Sequence, residues 1–404
     1  MKKKGVRGRR MTGLIVLTGV ILFLSGCQGW KGADRKDGQE VKEQHTADRH
    51  DADEKPEGLK ALENEEILRE AEKIAGLYEE IYREALIGGT LNSLETKEKI
   101  LNRLGEGGYS AVDWENQLDM HNFESMKDFC IRAAQGQSGN TVLLRLLNDG
   151  GLIWYSLESR EKEMKIDQYA VSWEGDTPAV SFLDTFTAYV WSYTVKGYFL
   201  FEKYQPPGYD GATGHHAVRV EPLNRDCREL NRKYILPVGY EDNNLFLTDW
   251  SENDYGELSF EDMYETLYQV KYGRRVEVDN SEIHASQQEF AEMIQTRFRV
   301  DEAELQSQTV YDKAAGIYRW KARGMGDFPS CILPYPEVTS YKENGDGTLT
   351  LTVEAVWEDE NTDCAFTHEV TVRPAGKADY QYVSNQIIHD ADQKVPPYIK
   401  RTGK

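Results

Sequence analysis

Glu241, Asp242, Asp249, Glu252, Asp254, Glu257, Glu261 and Asp262 lie close together in the chain, interleaved with Tyr240, Trp250 and Tyr255. Carboxylates beside aromatic rings are what a glycan-cleaving or sugar-binding cleft requires, one carboxyl as acid and another as base or nucleophile. Asp249, Glu252 and Asp254 are the catalytic candidates on that reading. Acidic clusters also bind calcium, cap helices and keep surfaces hydrated, and in a chain this acidic the last two are the plainer expectation. A second group is the run from Pro206 to His216, with glycines at 208, 211 and 214. Three-residue glycine spacing lets backbone amides approach an anion, but no Lys-Ser or Lys-Thr pair follows, so this is not a phosphate loop. His215 and His216 are adjacent and would point to opposite sides of a strand, poor geometry for one metal ion. The run reads as a surface loop, with Tyr209, Asp210, His215 and His216 as its ligand-contact candidates.

The remaining motifs are negative. There is no Cys-x-x-Cys, Gly-x-Ser-x-Gly or His-Glu-x-x-His. No metal centre and no cofactor is therefore expected, and catalysis is the less expected outcome. Of the five cysteines, Cys130 falls on the apolar side of a helix. Cys331 and Cys364 flank C-terminal strands and are the candidate disulfide. The chain has 404 residues with 69 acidic and 48 basic side chains, a net charge of −21. That balance argues against nucleic acid and against flat adsorption on anionic lipid.

The N-terminus is the exception. Lys2, Lys3, Lys4, Arg7, Arg9 and Arg10 precede an apolar run from Met11 to Leu24, then Leu24-Ser25-Gly26-Cys27. A basic segment, a short apolar segment and small residues at a cleavage point make a secretory signal. The apolar run falls short of the roughly 20 residues a spanning helix needs. The Leu-Ser-Gly-Cys tetrad resembles the lipobox of bacterial lipoproteins, which implies cleavage after Gly26 and a diacylglyceryl group on Cys27. The expected location is the extracytoplasmic face of the cell membrane, with the membrane itself as the partner of Cys27. Two acyl chains give a stable anchor where one would be marginal. Loss of residues 1–26 takes six positive charges with it and leaves the mature chain at −27.

The expected organisation has six parts. A signal peptide (1–26) leads to a lipidated cysteine and disordered tether (27–58), polar and charged, with a coil reach of roughly 30 Å. Helices and an antiparallel meander follow (59–205), then a loop-rich connection (206–256), a second set of helices and sheet (257–390) and a C-terminal tail (391–404). In the first block, apolar residues at three- and four-residue spacing from Leu62 to Leu86 predict one long amphipathic helix ended by Gly88-Gly89. Further helices are expected over Ser93–Leu104 and from an Asn122 N-cap to Gly136. Strands then run to Tyr204, with tight turns at Asn148–Gly151 and Lys196-Gly197. In the second block Ser259, Ser286 and Asp301 are the expected helix N-caps, and Asn344–Gly347 is the expected hairpin turn before the strands to Ile388. The fold class is α+β: two domains, each with N-terminal helices packed on a curved antiparallel sheet, an element order like that of nuclear-transport-factor-like and cystatin-like folds.

Three stretches carry a wider resemblance: Gly197–Tyr204, Cys227–Tyr240 and Tyr380–Asn385. They resemble a family of uncharacterised lipoproteins of Gram-positive-type bacteria built on a domain of unknown function. The resemblance implies an envelope location and brings no catalytic residues. The combined expectation is a non-catalytic binding or scaffold module for an envelope protein or cell-wall glycan. The alternative is a secreted, carboxylate-dependent glycan hydrolase.

Overall fold

The computed structural model describes residues 57–401 apart from 176, 210, 212, 328–331 and 377–378, with side chains from residue 65 onward except at 325. The signal segment, Cys27, most of the tether, Asp210 and Cys331 lie outside those residues. Glu57 and Gly58, expected in the tether, open the first helix. The described residues of 57–207 and 213–401 belong to one compact unit.

The first half begins with α1 (Glu57–Gly76), α2 (Glu79–Gly88) and α3 (Leu94–Glu106). The single long helix expected here is broken at Gly76. Leu77 and Tyr78 make short-range bonds to Ile74 and Ala75 carbonyls at 3.2 and 3.1 Å instead of continuing the helix. The break sets Tyr78 to donate to the Gly150 carbonyl at 3.1 Å and to pack edge-on against Trp173. A tertiary contact thus overrides local periodicity. Ser93 caps α3 by accepting from the Thr96 amide at 3.2 Å. β1 (Ser110–Asp113) and α4 (Phe123–Ala134) follow. Asn122 precedes α4 but is not its side-chain cap: its φ is +52°, and its amide donates to the Gly105 and Tyr109 carbonyls.

β2 (Gly139–Leu146), β3 (Leu152–Arg160), β4 (Glu163–Glu174) and β5 (Thr177–Thr187) form an antiparallel meander, to which β1 adds in parallel. Side chains alternate across this sheet. Leu144, Leu146, Leu152 and Trp154 pack under α1–α3. Leu143, Tyr155 and Leu157 face α4 together with Phe199, Phe201 and Val218. The latter belong to a second sheet of β6 (Val190–Tyr193), β7 (Tyr198–Glu202) and β8 (His215–Arg219). The β6–β7 turn needs Gly197, whose φ is +84°.

The second half starts with α5 (Arg225–Leu230) and a π-turn over Asn231–Ile235, then β9 (Trp250–Ser251) and α6 (Phe260–Tyr272). β10 (Glu282–Ser286), α7 (Gln287–Gln295), α8 (Glu302–Gln308), β11 (Tyr311–Asp312) and β12 (Ile317–Lys321) come next. Last are β13 (Tyr335–Glu343), β14 (Leu349–Val356), β15 (Thr367–Ala375) and β16 (Asp379–Ile388). Ser259, Ser286 and Asp301 cap α6, α7 and α8 as their spacing requires, accepting amides at 3.2, 3.2 and 2.9 Å. Asp346 closes the 344–347 turn by accepting the Thr348 amide at 3.0 Å. β13–β16 form an antiparallel sheet with β9 on its edge, while β10, β12 and β11 form a separate small one. Helices and antiparallel sheets in this succession make the fold α+β. The halves keep separate cores and meet where Tyr198, Leu200 and Ala217 pack against Val356 and Tyr335.

Candidate functional site

A cleft of about 910 Å³ opens in the second half between the loop after the π-turn, one side of α6, the 275–278 segment and the chain leading into β13. Its volume is within the range of ligand sites, roughly 300–1,000 Å³. Leu236, Pro237, Val276, Leu333 and Pro336 supply apolar wall. The polar groups are few: Glu241, Asp242, Glu265, Thr266, Gln269, Arg275 and Arg323.

The loop bearing Asp242 is fixed from below. Gly239 donates to the Ile235 carbonyl at 2.9 Å. Asn243, buried, donates to the carbonyls of Val238 at 3.3 Å and Glu241 at 2.8 Å and accepts the Leu245 amide at 3.0 Å. Between these anchors Asp242 takes a φ of +60°, a left-handed conformation that Asp tolerates better than most residues. Its carboxylate is half-buried, and among the described residues no hydrogen bond or ion pair closes on it. Burial raises its pKa, with Arg323 and Arg275 pulling it back.

The other carboxylate at this depth is occupied. Glu265 accepts Trp320 Nε1 at 2.7 Å and Arg401 Nη2 at 2.6 Å. Burial raises its pKa, and Arg401 and Trp320 oppose the rise. Arg323 is the hinge of the polar wall. Its Nη2 donates to Asp262 at 2.6 Å, and its Nη1 donates to the carbonyls of Asp327 at 2.8 Å and Ile399 at 2.9 Å. Its side chain is 6% exposed, and its Nε–H is buried without an acceptor among the described residues. Asp262 is fully buried beneath it and also accepts Arg401 Nε at 2.8 Å and the Tyr398 hydroxyl. The C-terminal tail thereby closes over the base of α6. Tyr240 lines the cleft with its ring, but its hydroxyl is bonded to His368 Nε2 at 2.9 Å, and His368 Nδ1 to Asn385 Oδ1 at 2.7 Å.

Asp249, Glu252 and Asp254 do not line this cleft. Asp249 accepts the Ile387 amide at 2.7 Å and so fastens β16. Glu252 is held by both Nη atoms of Arg373 at 3.0 and 2.9 Å, which lowers its pKa. Asp254 accepts the Gly256 amide at 3.0 Å within a turn. Each carboxylate has a local structural partner. Tyr209 is exposed in the segment between β7 and β8. His215 and His216 open β8 itself. His215 Nε2 stands 3.5 Å from Glu202, and its Nδ1 3.8 Å from Asp359. His216 is stacked on Phe201 at 4.5 Å between ring centres, and burial pushes its pKa down to about 3. Cys130, Cys227 and Cys364 are free thiols. No group of three or more His, Cys, Asp or Glu side chains able to hold a metal occurs among the described residues. No helix among them is long and apolar enough to cross a membrane.

Sequence reading named Glu241 and Asp242, which line the cleft, within the acidic segment, but put its catalytic candidates at Asp249, Glu252 and Asp254. Asp242 sits in Tyr240-Glu241-Asp242-Asn243-Asn244, and two asparagines after an acid are a turn signature that marks a fixed loop. Arg275 and Arg323 are distant in sequence and carry no local signal.

Neither curated proteins nor solved structures gave a match to this chain. One family description does match, over residues 64–401, which includes both halves and the whole cleft. The chain belongs to the family of unknown function DUF6070.

Proposed function

We propose that the protein is a lipid-anchored, extracytoplasmic binding module, held at the membrane by Cys27, which recognises an envelope protein or wall polymer through the cleft beside α6. The carrying observation is the state of the cleft carboxylates. Two-carboxylate hydrolysis needs two acids that can both act on one bond. Here Glu265 accepts both Trp320 and Arg401 on Oε1, and among the described residues at this depth Asp242 is the carboxylate without a hydrogen bond. A ready-made apolar cleft with few converging polar groups is the general form of a recognition site. The basic, apolar and lipobox segments of residues 1–27 support the anchor, which would hold an acidic body at an anionic surface that otherwise repels it.

The test uses the full-length protein in detergent against solubilised envelope and purified wall fragments. Val270, exposed on α6 at the cleft mouth, is replaced by Trp to obstruct it. Capture of an envelope component by the native chain, its loss in Val270→Trp at an unchanged melting temperature, and no product release are the expected results. Release of shortened glycan would replace this reading with the hydrolase. Cys27→Ser should move the protein from the membrane fraction to the soluble one.

A further inference from the structure

We infer that the cleft takes a peptide segment presenting a cationic side chain, whose charge pairs with Asp242. This rests on the cleft being the binding site, as proposed above, and assigns the ligand class. Asp242 is a half-buried acceptor with no hydrogen-bond donor among the described residues, and the positive charges of Arg323 and Arg275 only partly offset its burial. A lysine or arginine side chain supplies both the donor and the charge that this carboxylate lacks.

The wall decides between peptide and sugar. Sugars are held by stacking on open aromatic faces. The aromatic residues lining the cleft are Tyr240, which is buried, and Tyr335, which is partly buried and packed against the cluster of Tyr198, Leu200, Ala217 and Val356. The apolar part of the wall is aliphatic and proline, suited to the apolar side chains that flank a cation in a peptide. Glu241, exposed beside Asp242, adds a second negative charge at the rim. The chain's net charge of −21 steers cationic ligands inward. Arg275, also exposed at the rim, acts on Asp242 through its charge, makes no ion pair with it and can meet a ligand carbonyl.

Calorimetry on the full-length protein in detergent tests this with blocked Leu-Pro-Lys-Val, the same peptide with norleucine for lysine, and chitotetraose. The lysine peptide should bind at least about tenfold more tightly than the norleucine one, a difference of about 1.4 kcal/mol. Asp242→Asn should bring the two peptides to equal affinity without changing the melting temperature. Equal affinity in the native chain, a preference that survives Asp242→Asn, tighter binding of chitotetraose, or no binding of any probe would each overturn the assignment. The binding-site reading is separate. It falls only if the envelope-capture experiment also shows no dependence on Val270→Trp.

Discussion

Two buried Arg–carboxylate constellations, one at the junction of the halves and one at the cleft, use the same residue types to opposite effect. At the junction both oxygens of Glu337 are taken, Oε1 by the Tyr198 hydroxyl at 2.9 Å and Oε2 by Arg219 Nη1 at 2.5 Å. Asn116 extends the lock, accepting the Arg219 amide at 3.0 Å and donating to the Ala217 carbonyl at 3.1 Å and the Tyr335 hydroxyl at 3.0 Å. Burial raises the pKa of Glu337 while Arg219 and Tyr198 pull it back. At the cleft Arg323 is committed to Asp262 and two carbonyls, and the nearby Asp242 carboxylate has no donor among the described residues. A carboxylate with both oxygens matched holds elements together. One left unmatched beside a cavity is held ready for something else. The arginines do not separate the two regions, since Arg219 Nε and Arg323 Nε are both buried without an acceptor among the described residues; the hydrogen bonding of the carboxylates, Glu337 against Asp242, does.

Removing Arg219 should give the largest effect. Arg219→Ala strands Glu337, whose side chain is 7% exposed, in a site that excludes water. Breaking one member of a buried pair costs about 3–5 kcal/mol. Urea unfolding should show that loss, with the halves separating first if the junction is the clamp between them. A loss below about 1 kcal/mol would remove the distinction between the two regions.

Acid should act through buried histidines next. His368 is fully buried, and its pKa is pushed down to about 4 by burial, with Asn385 opposing; that of His216 is pushed down to about 3, chiefly by burial. Both lie below the unfolded value of about 6.5, so between those limits the folded chain binds fewer protons than the unfolded one. Their contribution is complete above pH 6.5 and is lost as pH falls through the window, by about 3 kcal/mol for His368. Glu337 and Glu358, raised by burial, act in the opposite direction, so the comparison must be between native chain and variant. His368→Gln should flatten the profile between pH 6.5 and 4. An unchanged slope would mean that His368 titrates normally.

The tail offers an intermediate case. Arg401 donates to Asp262 and Glu265 and to the Lys321 carbonyl at 2.8 Å. Arg401→Ala leaves Asp262 with Arg323 and Tyr398, so the expected loss is about 1–3 kcal/mol, smaller than at Arg219. It also removes the arginine bonded to Glu265 and leaves Trp320 as the donor on Oε1, so the cleft becomes more negative. Tighter binding of the lysine peptide in this variant would show that the tail limits the charge of the cleft.

Much of the scaffold was legible because it is local. Ser259, Ser286 and Asp301 cap their helices through bonds spanning three residues, and the turns at Gly197 and Asp346 follow from backbone chemistry. What failed depends on distant partners. The helix break at Gly76 is fixed by Tyr78 meeting Gly150 and Trp173, and Asn122 is diverted by the carbonyls of Gly105 and Tyr109. The short parallel strand β1 carries no alternation to signal it. The cleft is the extreme case, since Asp242, Glu265 and Arg323 come from three separate segments and their meaning lies in which of them has a partner.

The smallest expected effect on stability is the most informative about function. Asp242→Asn removes a charge that burial disfavours and that no donor among the described residues satisfies. Nothing is stranded by its loss, so stability should change by no more than about 0.5 kcal/mol or rise slightly. The left-handed backbone at φ +60° tolerates Asn as well as Asp, which removes strain as a confounding cause. A residue whose replacement is neutral for folding while it abolishes preference for a cationic ligand is held for recognition. If Asp242→Asn instead destabilises as Arg219→Ala does, the carboxylate has a structural partner after all. The cleft would then be a second lock rather than a site.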